Sequence, residues 1–201
     1  MLRKEFAPSL NIPVITGAET GPVMIYVSPL SAVHDAIREH EPSHLVSLLD
    51  PETMIETPEG FDPARHLRIG VNDIAEPIDE LVPPTQAHVA DLIAFIRGWD
   101  EARRDGGPAP LLLHCWAGIS RSTAAAFIAL CVLNEDQSEA FLARQIRDSA
   151  PHAHPNRLMV TLADDVLGRE GRMVAAVDAL GPGKAAWEGM LFGLPVRLEE
   201  G

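Results

Sequence analysis

The segment from Leu111 to Leu133 restricts the possible folds more than any other part of the chain. Leu111-Leu-Leu113 is an apolar run of strand length with no polar alternation, and Ser122 to Leu133 is apolar on every side, as a helix buried in a domain centre would be. A strand and a helix that both need covering on all sides belong to a layered α/β domain. The rest of the chain can supply those layers. Val23 to Val27, His44 to Leu49 and His66 to Val71 read as three further strands. After the first, Ser28-Pro29 reads as a helix N-cap with proline in the first turn. Val33, Ala36, Ile37 and His40 then recur at helical spacing until Glu41-Pro42 breaks the pattern. Asp50 to Arg65 holds Pro51, Pro58, Gly60 and Pro63 among several acids, a loop composition. Val89, Leu92, Ile93 and Ile96 trace one face of a helix that starts near Thr85 and ends at Arg104-Asp-Gly-Gly-Pro108.

Strands alternating with helices and then helices alone predict an α/β fold with a central, mostly parallel sheet flanked by helices and a helical C-terminal flank. The flank divides into three. Glu135 to Ala150 places Phe141, Leu142, Gln145 and Ile146 on one stripe, Pro155 to Leu167 places Met159, Leu162, Ala163 and Val166 on another, and Glu170 to Leu180 is shorter. Gly168 and Gly181 suit helix C-caps. Beyond Gly181, Trp187, Met190, Leu191 and Leu194 fall at helical spacing, so the tail 181–201 is expected to dock on the core at about 23–167. With 201 residues, 46% hydrophobic and 22% charged, the whole chain 1–201 is of a size for one domain. Its formal charge of −13 repels nucleic acid and anionic membranes and argues against either as a partner. Met1 to Gly21 lacks the apolar run of a signal peptide, nothing approaches a membrane span, and two cysteines, Cys115 and Cys131, fit a reducing compartment. The expectation is a cytoplasmic protein.

Chemistry concentrates where the apolar strand meets the buried helix, in His-Cys-Trp-Ala-Gly-Ile-Ser-Arg-Ser, residues 114 to 122. A strand–loop–helix turn of this kind directs the backbone N–H groups of Trp116, Ala117, Gly118, Ile119, Ser120 and Arg121 into one concavity at the positive end of the helix. Those groups and the nearby guanidinium stabilise a thiolate, which makes Cys115 a nucleophile. Five residues on, Arg121 offers a planar fork for two phosphoryl oxygens, and Gly118 permits the tight curvature. Trp116 and Ile119 wall the site with apolar surface.

In His114, Cys115, Gly118, Arg121 and Ser122 the chain resembles the protein tyrosine phosphatase superfamily, whose signature is His-Cys, five residues, Arg and Ser or Thr. The resemblance spans about Val23 to Leu167 and is closest to short, dual-specificity-like members of bacterial type. It implies a phosphate monoester hydrolase that works through a phosphocysteine intermediate, with no metal and no cofactor, on a phosphorylated protein or a small phosphate ester. It also implies an aspartate upstream as general acid. Arg68-Ile-Gly-Val-Asn-Asp73 resembles the strand end and acid loop of that group, and the stretch from Asp73 to Cys115 accommodates one helix and one strand. Asp79 competes for the role, and Glu76 and Glu80 crowd the same loop. By the same resemblance Ser122 hydrogen-bonds the sulfur and His114 braces the loop from beneath. Pro155-Asn156 resembles a Pro-Asn pair that follows the active-site helices, with Asn156 a cap or loop brace.

Other residues read more plainly. Cys131 sits too far along the helix to pair with Cys115. His152 and His154 lack companions at metal-ligand spacing. Arg144 and Arg147 could border the pocket but are spaced as on a solvated helix face. His34, His40, His44, His66 and His88 read as surface or cap residues. Two alternatives remain: a pseudophosphatase that binds a phosphorylated partner without turnover, and a different enzyme on a similar loop, either a phosphatase of inositol phosphates or a rhodanese-like sulfurtransferase. The loop has no lysine, which disfavours highly phosphorylated ligands.

Overall fold

A computed structural model describes residues 22–76, 78–106 and 110–200. The N-terminal arm Met1 to Gly21 and the Gly107-Pro108 helix stop lie outside them. The described residues form a five-stranded sheet in the order β3-β2-β4-β1-β5, with β1 Met24–Pro29, β2 His44–Leu49, β3 His66–Gly70, β4 Leu111–Cys115 and β5 Phe192–Pro195. The first four run parallel and β5 runs antiparallel to β1 at the edge. Parallel strands are joined by crossovers, and α1 Val33–His40 and α2 Gln86–Arg104 provide two of them. This confirms the α/β class with a mostly parallel sheet and a helical flank.

Side-chain alternation along β4 divides the interior in two. Leu111, Leu113 and Cys115 face the large core, whereas Leu112 joins Val33, Ala36 and Leu45 in a smaller one under α1. The large core is built around α3 Arg121–Leu133, all of whose residues are buried. It packs against α2, α4 Glu139–Ser149 and α5 Arg157–Leu167, while α6 Arg172–Leu180 packs on α4 and α5. A helix enclosed this way can be apolar all round, as its sequence is.

Helix ends follow local chemistry. Thr85 and His88 form a capping box at α2, Ser138 accepts the Phe141 N–H at α4, and Asn156 accepts the Met159 N–H at α5. Gly168 and Gly181 close α5 and α6, as expected.

Two expectations are corrected. Ser28 and Pro29 do not start a helix: both lie in β1, paired with His114 and Cys115 of β4, and a 3-10 turn, Leu30–Ala32, precedes α1. The tail is not a helix either. Phe192–Pro195 forms β5, with Leu194 buried, while Trp187 is fully exposed and Met190 largely so. A free edge of β1 gains paired backbone groups from β5, which the helical spacing of the tail's apolar residues could not indicate.

Candidate active site

Cys115 ends β4 with its neighbours Pro29 of β1 and Leu48 of β2 in register, so it lies at the carboxyl edge of the sheet, where α/β sites form. Its Sγ accepts the Gly118 N–H at 3.3 Å and lies 3.1 Å from the Ser122 hydroxyl. The loop between β4 and α3 hangs from outside donors. The Trp116 carbonyl accepts the Leu30 N–H at 3.0 Å, that of Ile119 accepts the His154 N–H at 2.9 Å, and that of Ser120 accepts the Asn156 N–H at 3.2 Å. Because a planar trans peptide points its N–H opposite to its C=O, each carbonyl held outward turns the next residue's amide inward. Gly118 has φ +69°, and a Cβ there would lie 2.7 Å from the Pro29 nitrogen, so only glycine fits.

Arg121, 3% exposed, is anchored by one end of its guanidinium. Nη1 donates to Asp50 Oδ1 at 2.8 Å and to the Val71 carbonyl at 2.7 Å, while Nε is buried with no hydrogen-bond partner. Asp73 stands opposite. Its Oδ1 accepts from the Ser120 hydroxyl at 2.6 Å and from Asn156 Nδ2 at 2.8 Å, and its Oδ2 lies 3.9 Å from Arg121 Nε. One oxygen is thus fixed and the other faces the guanidinium. A cavity of about 530 Å³ is lined by Asp50, Asn72, Asp73, Ile74, Leu81, Trp116 and Arg121, among others. Asp73 lines it, whereas Asp79 and Glu76 do not. Asn156 combines both roles expected of it: Oδ1 caps α5 while Nδ2 braces Asp73 and the Ile74 carbonyl.

His114 is buried beneath the loop, and burial pushes its pKa down to about 4. Its Nε2 meets the Ser47 hydroxyl at 2.5 Å, which meets His66 Nε2 at 2.8 Å, and His66 Nδ1 reaches the Thr57 hydroxyl at 3.0 Å. The expectation of His66 at the surface is therefore wrong. It is buried, and desolvation lowers its pKa to about 4 as well. His44 is half-buried against Phe95, His40 stacks on Tyr26, and His88 completes the α2 cap.

Neither flank arginine borders the cavity. Arg144 is exposed near Glu200, but Arg147 is not on a solvated face: it donates to the carbonyls of Leu180, Gly181, Pro182 and Ala153. Cys131 is buried in α3, and desolvation pushes its thiol pKa up. Sequence reasoning missed Asp50, which it placed in a surface loop, and Ser47. An acid directly after a strand that neighbours the cysteine strand was the available signal.

No family model matches the sequence, and no curated protein matches it. Among solved structures, the chain is similar to the Yvh1 phosphatase domain from Chaetomium thermophilum, with 20% identity over 74% of this chain and 93% of that one and a TM-score of 0.53. It is similar to DUSP15, with 22% identity over 78% and 89% and a TM-score of 0.51. It is also similar to the human tyrosine phosphatase-like serine/threonine/tyrosine-interacting protein, with 16% identity over 73% and 92% and a TM-score of 0.54. The chain therefore has the fold of the tyrosine and dual-specificity phosphatases, as its His114-to-Ser122 segment led us to expect. One of these neighbours is a phosphatase domain and another is phosphatase-like, so the residues of the site must decide what this chain does with the fold.

Proposed function

We propose that the protein hydrolyses phosphate monoesters through a phosphocysteine intermediate, as a protein tyrosine or dual-specificity phosphatase. The observation that carries the reading is the division of labour at Arg121. Asp50 and the Val71 carbonyl hold Nη1, while Nε is buried without a hydrogen-bond partner, 3.9 Å from Asp73 Oδ2, on a residue that lines the cavity. A buried donor without a hydrogen bond costs stability, and an anion bound in the cavity would complete it.

The atoms in place support a two-step mechanism. The Cys115 sulfur attacks phosphorus, the bond to the ester oxygen breaks, and Asp73 gives that oxygen its proton. The inward amides and Arg121 stabilise the charge on the equatorial oxygens. Water then attacks the phosphocysteine, Asp73 takes the water's proton, and the sulfur leaves as a thiolate that accepts a hydrogen bond from Ser122. Ser120 and Asn156 hold Asp73 in reach for both steps.

Among the described residues that line the cavity, Arg121 is the only cation, and Asp50 and Asp73 line it too. That balance suits a monophosphate and repels a ligand with several phosphates. Trp116, Ile74 and Leu81 offer apolar contact to the ester's body. The activity needs a reduced Cys115, so we place the protein in a reducing compartment such as the cytoplasm.

The test is hydrolysis of p-nitrophenyl phosphate in EDTA from pH 5 to 8. We expect Cys115→Ser to lose at least about a thousandfold in kcat. A wild-type protein that binds phosphate or a phosphopeptide but releases no product would replace this reading with that of a binding module.

A further inference from the structure

We infer that His152 and the C-terminal segment from Gly183 to Gly189 are positioning elements of the phosphate-binding loop, a role that rests on the reading of that loop given above. Three of the loop's carbonyls are held outward by Leu30, His154 and Asn156. The other two belong to the residues at the loop's apex. The Ala117 carbonyl accepts the Gly189 N–H at 2.8 Å, and the Gly118 carbonyl oxygen lies with the His152 ring against Gly189. His152 Nε2 is buried with no hydrogen-bond partner. Desolvation lowers the His152 pKa, so the ring is neutral near pH 7.

These two peptides are the ones most in need of holding. Gly118 joins them, and glycine crosses between backbone wells at little steric cost. A flip of either peptide would turn the Gly118 or Ile119 amide out of the cup and present a carbonyl oxygen to the phosphate. The Gly189 hydrogen bond to the Ala117 carbonyl opposes the first flip, and the close packing of Gly189 and the His152 ring beside the Gly118 carbonyl leaves little room for the second.

The segment itself is built to approach closely. A Cβ on Gly189 would lie 2.4 Å from His152 Nε2 and 2.9 Å from the Gly118 carbonyl oxygen, and one on Gly183 would lie 2.7 Å from the carbonyl oxygens of His152 and Ala153. The Lys184 N–H donates to the Pro151 carbonyl at 2.7 Å, the Ser31 hydroxyl donates to Glu188 at 2.9 Å, and β5 then anchors the chain to the sheet. His152 is fixed from its other side by an edge contact with Phe192 of β5. A segment more than sixty residues beyond the nucleophile thus holds the Ala117–Gly118 peptide and packs against the Gly118 carbonyl.

The test uses the full chain with Gly189→Val, His152→Ala, His152→Asn and, as a control at an exposed side chain outside the segment, Glu135→Gln. Three quantities are measured: kcat/KM on p-nitrophenyl phosphate, the rate of Cys115 alkylation by iodoacetamide at pH 6, and affinity for inorganic phosphate. We expect Gly189→Val and His152→Ala to lose about tenfold or more in kcat/KM and to slow alkylation, because misplaced amides no longer stabilise the thiolate. Glu135→Gln should match wild type. His152→Asn should recover part of the loss, since its planar amide refills part of the space the ring occupies beside Gly189. Folded Gly189→Val and His152→Ala proteins within twofold of wild type in all three would overturn the inference. Should Gly189→Val fail to fold, the His152→Ala and His152→Asn pair decides. Should the wild type prove catalytically silent, alkylation and phosphate affinity still decide, so the two proposals fail separately.

Discussion

Two groups of charge inside this molecule are built in opposite ways. At the junction of α4, α5 and α6, Glu139 Oε1 receives Arg169 Nη1 at 3.3 Å and Arg172 Nε at 3.1 Å. Arg169 Nη2 continues to the Cys131 carbonyl at 2.8 Å. Beside it, Asp164 spends both oxygens on the N–H groups of Gly171 and Met173, which open α6. At the sheet edge, Arg121 is anchored on one side only and keeps a buried donor unpaired, while Asp73 keeps one oxygen free of hydrogen bonds. The junction carboxylates are the more deeply buried: the Glu139 side chain is 8% exposed against 38% for Asp73. Burial does not separate the two groups on its own, because Arg121 is at least as buried as Glu139. Unfilled hydrogen-bonding capacity facing a cavity marks the site.

The comparison predicts that charge removal at the two places has separable effects. Asp73→Asn should lower kcat by about a hundredfold to ten-thousandfold, the usual worth of general acid–base catalysis, and leave the melting temperature near wild type. The drop should be smaller for aryl esters with good leaving groups than for alkyl esters, which depend more on the proton; equal drops would remove Asp73 from the acid role. Glu139→Gln should do the reverse. It removes the charge that Arg169 and Arg172 share and should cost about 2 kcal/mol in urea unfolding, with kcat unchanged in the folded fraction. A Glu139 variant with full stability but altered kcat would erase the distinction between the two groups.

Legibility in the sequence followed the range of the interactions. The cysteine loop is local: strand, turn and buried helix lie within Leu111 to Leu133, and their composition states each element. Asn156 was readable as a cap because the Met159 amide it serves is three residues away. Asp50 was not, because only the pairing of β2 with β4 carries it beside Arg121. Strand β5 was hidden for the same reason: its partner β1 is far away in the chain, and four residues are too few to display a strand period. His66 looked like a surface residue because its partner Ser47 comes from the neighbouring strand. Hydrogen bonds that cross a sheet leave no periodic trace along either strand.

The buried histidine chain gives the smallest expected effect and extends the comparison to pH. His66 and His114 both have pKa values lowered from 6.5 to about 4 in the folded protein, chiefly by desolvation. As pH falls below about 6.5 the unfolded chain takes up protons on both before the folded chain does, so protonation favours unfolding. The stability these neutral rings allow is complete above that pH and is lost progressively as pH falls toward 4. The melting temperature should therefore drop by a few degrees between pH 7 and pH 5, a range above the titration of ordinary carboxylates. His66→Asn removes one of the two groups and should make the decline shallower, even if the variant starts lower at pH 7. His114 still carries its own lowered pKa in this variant, so the change in slope should be modest. An identical slope in the variant would mean that His66 titrates in the folded protein as it does in the unfolded chain, and that the Thr57–His66–Ser47–His114 chain does not hold its inner members neutral.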